Sequence, residues 1–322
     1  MTQALIIGIE GQDGTYLAKS LLRRGDTVYG TYYAKEALEH NFGALGLLSR
    51  DDIQRKPFTL PGTQNEWETL FNWAAPDEIY FLAGMSSVAE SFRLPIQAIS
   101  YNLNSVSLLL EHIRTQAPRT KLFYAGSVEC FGQFARDKAA DETTPFNPAS
   151  SPYAISKASS IDLIRLYRAA YSLNVCSGIL GNHESPLRPP SFVTRKIVDS
   201  ACAIAEGRAQ KLHLGNLSVQ RDWGWAEEYV EGYPLMLRQE KVDDYIIATG
   251  ETRKLEDFVA LVFQKKGLGD WRNWVEVDNS LKRPWDIDKI KVSPQRIHAE
   301  LGWRAKVGFD KLIDLLLEQT ER

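Results

Sequence analysis

The sequence predicts an α/β chain, a doubly wound parallel sheet with a smaller mixed α/β lobe toward its C-terminus. Short β-branched apolar runs alternate with stretches of helical periodicity through the first half. The first run ends in a glycine cluster that opens a helix, and a proline-rich stretch, Ser185-Pro-Leu-Arg-Pro-Pro190, halts the alternation where a second lobe should begin. The 322 residues allow about two units at roughly 150 residues each.

Ala4-Leu-Ile-Ile7 suits a strand buried on both faces, and Gly8 ends it. From Thr15, Leu17, Ala18, Leu21 and Leu22 recur at helical spacing until Gly25-Asp26 stops the helix before a second strand at Thr27–Gly30. The alternation continues with a helix at Glu66–Trp73, a strand at Glu78–Leu82, a helix at Val106–Arg114 and a strand at Lys121–Tyr124. Phe134–Ser151, dense in Asp, Thr, Pro, Asn and Ser, reads as a long loop of the kind that carries function. A helix over Pro152–Tyr171 and a strand at Val175–Leu180 follow, with no internal repeat or low-complexity tract anywhere.

Composition removes several function classes. With 44% hydrophobic and 25% charged residues the chain is an ordinary globular one, and 38 Lys and Arg against 41 Asp and Glu leave no basic stripe for nucleic acid. No apolar run reaches the roughly 18 residues of a membrane span, so a cytoplasmic protein without a membrane partner is expected. Cys130, Cys176 and Cys202 form no Cys-x-x-Cys pair and read as core thiols, and the 5 histidines show no His-Glu-x-x-His spacing, so no metal is expected.

Three constellations carry chemistry. Gly8-Ile-Glu-Gly-Gln-Asp-Gly14 follows a strand and opens a helix, which lets backbone N–H groups approach a pyrophosphate at the helix N-terminus. Tyr153 and Lys157 lie four apart on one helical face, and no other of the 13 tyrosines has a lysine at that offset. An ammonium beside the phenol lowers its pKa and makes Tyr153 a base, unless the two merely stack at the surface. Ser127 and Glu129 fall just beyond a strand end, where open α/β sheets bind ligands, although a capping serine and a solvated glutamate would look the same.

Together with Gly181-Asn-His-Glu-Ser-Pro186, Phe192-Val-Thr-Arg-Lys196, Leu214-Gly-Asn-Leu217, Arg221-Asp-Trp-Gly224, Ile247-Ala-Thr-Gly-Glu-Thr252 and Arg283-Pro284, these motifs resemble the GDP-mannose 4,6-dehydratase family. That family sits within the extended short-chain dehydrogenase/reductase group of Rossmann-fold enzymes. The resemblance runs over nearly the whole chain and implies a dinucleotide-binding unit of 1–180, joined again by 217–248, with 181–216 and 249–322 forming the nucleotide-sugar lobe. It implies a hydro-lyase acting on GDP-mannose or another GDP-hexose or heptose. Tyr153 would take the proton of the sugar 4-hydroxyl as hydride leaves C4 for the nicotinamide, with Lys157 holding the cofactor ribose, Glu129 would take the C5 proton, and Ser127 would hydrogen-bond the substrate in place of the usual threonine. Gly8, Gly11, Gln12, Asp13, Gly14, Leu82, Ala83, His183 and Arg195 would meet the cofactor, and Asn182, Lys196, Arg221 and Arg283 the substrate.

The departures gather at the adenosine end of the cofactor. The second strand runs into Thr31-Tyr-Tyr-Ala-Lys-Glu36 with no arginine for a 2′-phosphate and no unambiguous acid for a 2′-hydroxyl, and Phe58-Thr-Leu-Pro-Gly-Thr63 replaces an expected Asp-Leu pair. NADP is the family expectation and NAD the alternative. Because the missing arginine loop also joins dimers into tetramers in the family, a homodimer is expected before a tetramer. A 4-reductase or epimerase needs no base for C5, which Glu129 supplies. The alternative from another class is a non-catalytic nucleotide-binding regulator.

Overall fold

The computed structural model describes residues 2–133 and 138–320. β1 (Gln3–Ile7) leads through the glycine turn into α1 (Gln12–Arg23), and β2 (Thr27–Tyr32), α2 (Lys35–Ala44), β3 (Ile53–Pro57) and α3 (Gln64–Ala74) continue the winding. The start of α3 is set by a capping box, in which Thr63 Oγ1 accepts from the Glu66 N–H and the Glu66 carboxylate accepts from the Thr63 N–H. After β4 (Glu78–Phe81) come α4 (Val88–Arg93), α5 (Pro95–Ile99), a π-helical turn at Ser100–Asn104 and α6 (Ser105–Gln116). β5 (Lys121–Ala125), α7 (Pro152–Tyr171) and β6 (Val175–Leu180) close the first half. Ser151 caps α7 by accepting from the Ala154 N–H at 3.0 Å, with Pro152 in the first turn, and so fixes where Tyr153 and Lys157 stand. Of the expected loop over Phe134–Ser151, residues 134–137 lie outside the described residues.

The second half contains β7 (Asn182–Glu184), α8 (Val193–Ala205), β8 (Leu212–Leu214), β9 (Gln220–Trp225), α9 (Ala226–Leu237) and β10 (Tyr245–Ile247). β11 (Thr252–Lys254), α10 (Leu255–Lys265), β12 (Val275–Val277), α11 (Gln295–Leu301) and α12 (Phe309–Thr320) complete it.

The large sheet has the order β10-β6-β5-β4-β1-β2-β3 with every pair parallel. Its strands are apolar on both faces because helices cover both. Ala4, Ile6 and Val28 join Leu17, Tyr229 and Tyr233 of α1 and α9 on one side, and Leu5, Ile7 and Phe81 join Trp67, Leu109 and Ile161 of α3, α6 and α7 on the other. Each such fully buried large side chain contributes about 1.5–3 kcal/mol. The strand order reverses between β1 and β4, the switch point where such sheets bind ligands.

A third cluster, with Ile197, Trp223, Phe258 and Leu312, holds α8, β9, α10 and α12 together beside the small β11-β9-β7 sheet and the β12-β8 pair. β10 and α9 lie with the large sheet, whereas β9, inside the expected 217–248 segment, pairs with β7 and β11. From the 249–322 segment, Ile297 and Trp303 pack into the α1 cluster, and Ile287, Ile290 and Val292 into the α7 cluster. Cys130, Cys176 and Cys202 are all buried. No helix among the described residues is long and apolar enough to cross a membrane.

Candidate active site

A cavity of about 990 Å³ runs from the glycine turn across the switch point to Leu281–Arg283. At its first end the backbone fits a dinucleotide. Gly8 holds φ +89°, where a Cβ would stand 2.9 Å from Ala83, and a Cβ on Gly14 would stand 2.2 Å from the Gly8 carbonyl oxygen. Helix α1 starts at Gly11 without a side-chain cap, so its first-turn N–H groups serve the cavity that Gly11, Gln12, Asp13 and Gly14 line. Leu82 and Ala83 form the facing wall at the end of β4. Asn102 braces the loop beyond them, accepting from the Met85 N–H at 2.9 Å and donating to the Met85 carbonyl at 3.1 Å and to Ser156 Oγ at 3.0 Å.

Gln12, Asp13 and His183 line this end but spend their polar atoms on one another. The Asp13 carboxylate accepts from His183 Nε2 at 2.8 Å, Tyr233 Oη at 2.9 Å and Gln12 Nε2 at 3.1 Å. His183 Nδ1 donates to the Gly181 carbonyl at 2.8 Å, and Gln12 Oε1 accepts from Ser185 Oγ at 2.8 Å. Burial works against both charges, but the pair outweighs it: Asp13 is held down at about 2 and His183 is raised above its ordinary value. This ion pair ties the glycine turn to the chain leaving β6, and all three residues of the expected cofactor set stay in the cavity lining. Arg195 is not among the residues lining the cavity, and its guanidinium donates to Asp199 and to the Pro186 carbonyl.

Ser127, Glu129, Tyr153 and Lys157 meet in the middle of the cavity. Ser127 Oγ accepts from the Glu129 N–H at 3.2 Å, ending β5 in a 3₁₀ turn at Val128–Phe131 that swings the carboxylate inward. Lys157 Nζ donates to the Ala125 carbonyl at 2.8 Å and stands 5.9 Å from the Tyr153 ring centre. The structure overturns the expected sign of the Tyr153 shift. Burial raises its pKa, with the Ser127 hydroxyl and the Arg188 charge only partly opposing, and burial also brings Lys157 down to about 8.

The far end is cationic. Arg221 is buried, donating to the Ile287 carbonyl at 2.8 Å, the Gln220 carbonyl at 3.0 Å and Asp286 at 3.1 Å, while its Nε lies 3.4 Å from Glu129 Oε1. Asp286 also receives Arg283 at 3.3 Å, so one carboxylate aligns two guanidiniums. Lys196 Nζ donates to the His213 carbonyl at 2.7 Å, and both Lys196 and Asn182 line the cavity. Guanidinium and ammonium groups of this kind are suited to binding phosphate oxygens.

Sequence reasoning missed Arg188, Asn216 and Asp286, all of which line the cavity. The proline-rich run that marked the lobe boundary in fact carries Arg188 to within 3.8 Å of the Phe192 ring centre and 3.4 Å of Glu184. Asp286, three residues after Arg283 of the Arg283-Pro284 motif, had a signal in that spacing. Arg221 and Glu129, 92 positions apart by subtraction, had none to join them.

A glycine turn at the switch point, a Tyr-x-x-x-Lys helix and an arginine-lined second lobe define an enzyme of the extended short-chain dehydrogenase/reductase class. Solved structures share the architecture. The Thermus thermophilus UDP-glucose 4-epimerase complex with NAD superposes with TM-score 0.85 at 25% identity over 99% of this chain and 98% of that one. The dTDP-glucose 4,6-dehydratase of Bacillus anthracis in complex with NAD gives 0.86 at 18% identity over 100% and 97%. RMD from Pseudomonas aeruginosa complexed with NADPH gives 0.76 at 21% over 99% of both chains. The family model described as GDP-mannose 4,6 dehydratase matches residues 5–316. GDP-mannose 4,6 dehydratase 1 of Arabidopsis thaliana is 38% identical over 98% of this chain and 89% of its own length, and the GDP-mannose 4,6-dehydratase of Sinorhizobium fredii is 36% identical over 94% and 91%. The chain belongs to the GDP-mannose 4,6-dehydratase family.

Proposed function

We propose that the chain is a nicotinamide-dependent hydro-lyase that converts a GDP-sugar, GDP-mannose first among them, to its 4-keto-6-deoxy form. The observation that carries the reading is the Glu129 carboxylate, buried in the same cavity as Tyr153 and Lys157. A reductase or epimerase working at C4 has no use for a second base there, whereas elimination across C5–C6 requires one.

Arg221 and Arg283, aligned by Asp286, hold the diphosphate, with Lys196 and Asn182 beside them. The sugar then lies between this end and the glycine turn. Tyr153 takes the proton of the 4-hydroxyl, and Ser127 orients that hydroxyl while easing the charge on the buried phenol. A nicotinamide dinucleotide held at the glycine turn would supply the hydride acceptor and donor that make such a reaction redox-neutral. Lys157, anchored on the Ala125 carbonyl, keeps a cation beside Tyr153 and within reach of a cofactor ribose. The C4 ketone acidifies C5, Glu129 removes the C5 proton, and the C6 hydroxyl leaves as water. Arg221, 3.4 Å from Glu129, ties the position of that carboxylate to the diphosphate clamp.

Exposed Ile96, Ile155 and Leu166 on α5 and α7 support assembly as a homodimer, with a light-scattering mass as its measure. The reaction itself is tested by mass spectrometry of the protein incubated with GDP-, UDP-, CDP- and dTDP-sugars and NAD or NADP. Loss of one water from a GDP-sugar without net cofactor consumption is the expected result. Reduction of a 4-keto sugar at the expense of reduced cofactor, with no water lost, would refute the dehydratase.

A further inference from the structure

A dinucleotide whose pyrophosphate rests on the N-terminus of α1 carries its adenosine ribose toward the C-terminal end of β2, and the charge found there decides between a 2′-hydroxyl and a 2′-phosphate. The residues that follow β2 in sequence offer neither an arginine nor an acid in the usual position. The structure brings an acid from elsewhere. Glu10, inside the glycine turn, crosses to the end of β2, where its Oε1 accepts from the Tyr33 N–H at 2.9 Å. Its backbone is pinned as well, since Asn41 Nδ2 donates to the Glu10 carbonyl at 2.7 Å. Glu10 lines the cavity together with Thr31, Tyr32, Tyr33 and Phe58, and its second oxygen, Oε2, is buried with no hydrogen-bond partner.

A buried carboxylate oxygen without a donor is costly, and a ligand hydroxyl is the donor that relieves it. Among the described residues no lysine or arginine forms an ion pair with Glu10. The cavity's lysines and arginines all belong to its catalytic and far ends. The cations of α2 and β3 have other partners: Lys35 lies 3.5 Å from Glu39, Lys56 stands 4.8 Å from the Trp73 ring centre and Arg55 stands 5.3 Å from that of Phe42. Burial raises the pKa of Glu10, with the backbone N–H groups of Tyr33, Glu10 and Ala34 working against it.

We propose that Glu10 makes this chain an NAD enzyme: its carboxylate accepts from the adenosine ribose 2′-hydroxyl and repels a 2′-phosphate. The inference rests on the dinucleotide site of the reading above and deepens it. Discrimination here comes chiefly from repulsion of the wrong ligand.

The test is calorimetric titration of the full chain, freed of nucleotide, with NAD⁺, NADP⁺, ADP-ribose and 2′-phospho-ADP-ribose. The last two lack nicotinamide and report the adenosine end independently of turnover. NAD⁺ should bind about 100-fold more tightly than NADP⁺, as like-charge juxtaposition implies, with the same order for the two fragments. Glu10→Gln keeps an acceptor for the Tyr33 N–H and should narrow that ratio at least about 10-fold, mainly through gained NADP⁺ affinity, and Glu10→Ser should do the same. Equal or tighter binding of NADP⁺ by the unaltered chain overturns the proposal whether or not the variants fold, and so does an unchanged ratio in both folded variants. A chain that prefers NADP⁺ and still removes water from a GDP-sugar loses only this inference. One that binds neither dinucleotide loses the reading beneath it too.

Discussion

Replacing Glu129 by Gln separates the second half of the proposed reaction from the first. The side chain keeps its shape, and Arg221 keeps Asp286 at 3.1 Å and the carbonyls of Ile287 and Gln220 at 2.8 and 3.0 Å. The contact that is lost, 3.4 Å from Nε to Oε1, is the longest of the set. Stripping a buried charge of its only partner costs about 3–5 kcal/mol, but Arg221 is not left alone, so the expected loss of stability is about 1 kcal/mol. That is a fall of about 2–4 °C in Tm for a chain of this order of size. Losing the C5 base lowers turnover by about 100- to 10,000-fold. C4 oxidation does not pass through Glu129, so stopped-flow absorbance should show reduced nicotinamide accumulating toward one equivalent per site. In deuterated solvent no label should enter C5. Water loss at the unaltered rate would refute the assignment. Loss of the reduction phase, with GDP-sugar binding intact, would move Glu129 to the C4 step, and a collapse of Tm would make its role structural.

Tyr153→Phe should abolish C4 oxidation, and with it the reduction phase, while calorimetric affinity for GDP-sugar changes less than about 5-fold, because the phenol holds no phosphate; near-normal turnover would exclude it as the base. Arg221→Ala should raise KM for the GDP-sugar by about 10-fold or more with little change in dinucleotide affinity, as loss of a charged phosphate contact requires. An unchanged KM would reduce Arg221 to a brace for Glu129. The Asp13–His183 pair gives stability a pH window. Asp13 sits at about 2 against an ordinary 3.8, so its contribution is present above 3.8 and is lost as pH falls through the folded value. His183 is raised above 6.5, so its contribution is full below 6.5 and is lost as pH rises through its folded value. Denaturant unfolding should therefore show the wild type exceeding Asp13→Asn by about 2 kcal/mol near pH 5, with the gap closing toward pH 2 and in alkali. A gap independent of pH would contradict the pairing.

Much of the fold was legible because its signals are local. The apolar run at Ala4–Ile7, the helical spacing of Leu17, Ala18, Leu21 and Leu22, and the stop at Gly25 each depend on neighbours a few residues away, and β1, α1 and β2 follow them. The short β3 at Ile53–Pro57 was not legible, since only Ile53 of that strand is fully buried and no alternation or apolar run marks it. Nor was the breakup of the chain between β4 and α6 into α4, α5 and a π-helical turn, which Asn102 stabilises by bridging Met85 and Ser156.

By itself, then, the sequence determined the alternation of strand and helix, the glycine turn that only residues without a Cβ can close, and the four-residue spacing that sets Tyr153 and Lys157 on one helical face. These are properties of backbone sterics and helical period, which act over a few residues. The tertiary structure alone decided the sign of the Tyr153 shift, because the cost of desolvating a phenol depends on what covers it. It alone joined Asp13 to His183 and Glu129 to Arg221, and it alone carried Glu10 to the end of β2, because a carboxylate takes its partner from the surfaces that folding presses against it and not from its place in the chain.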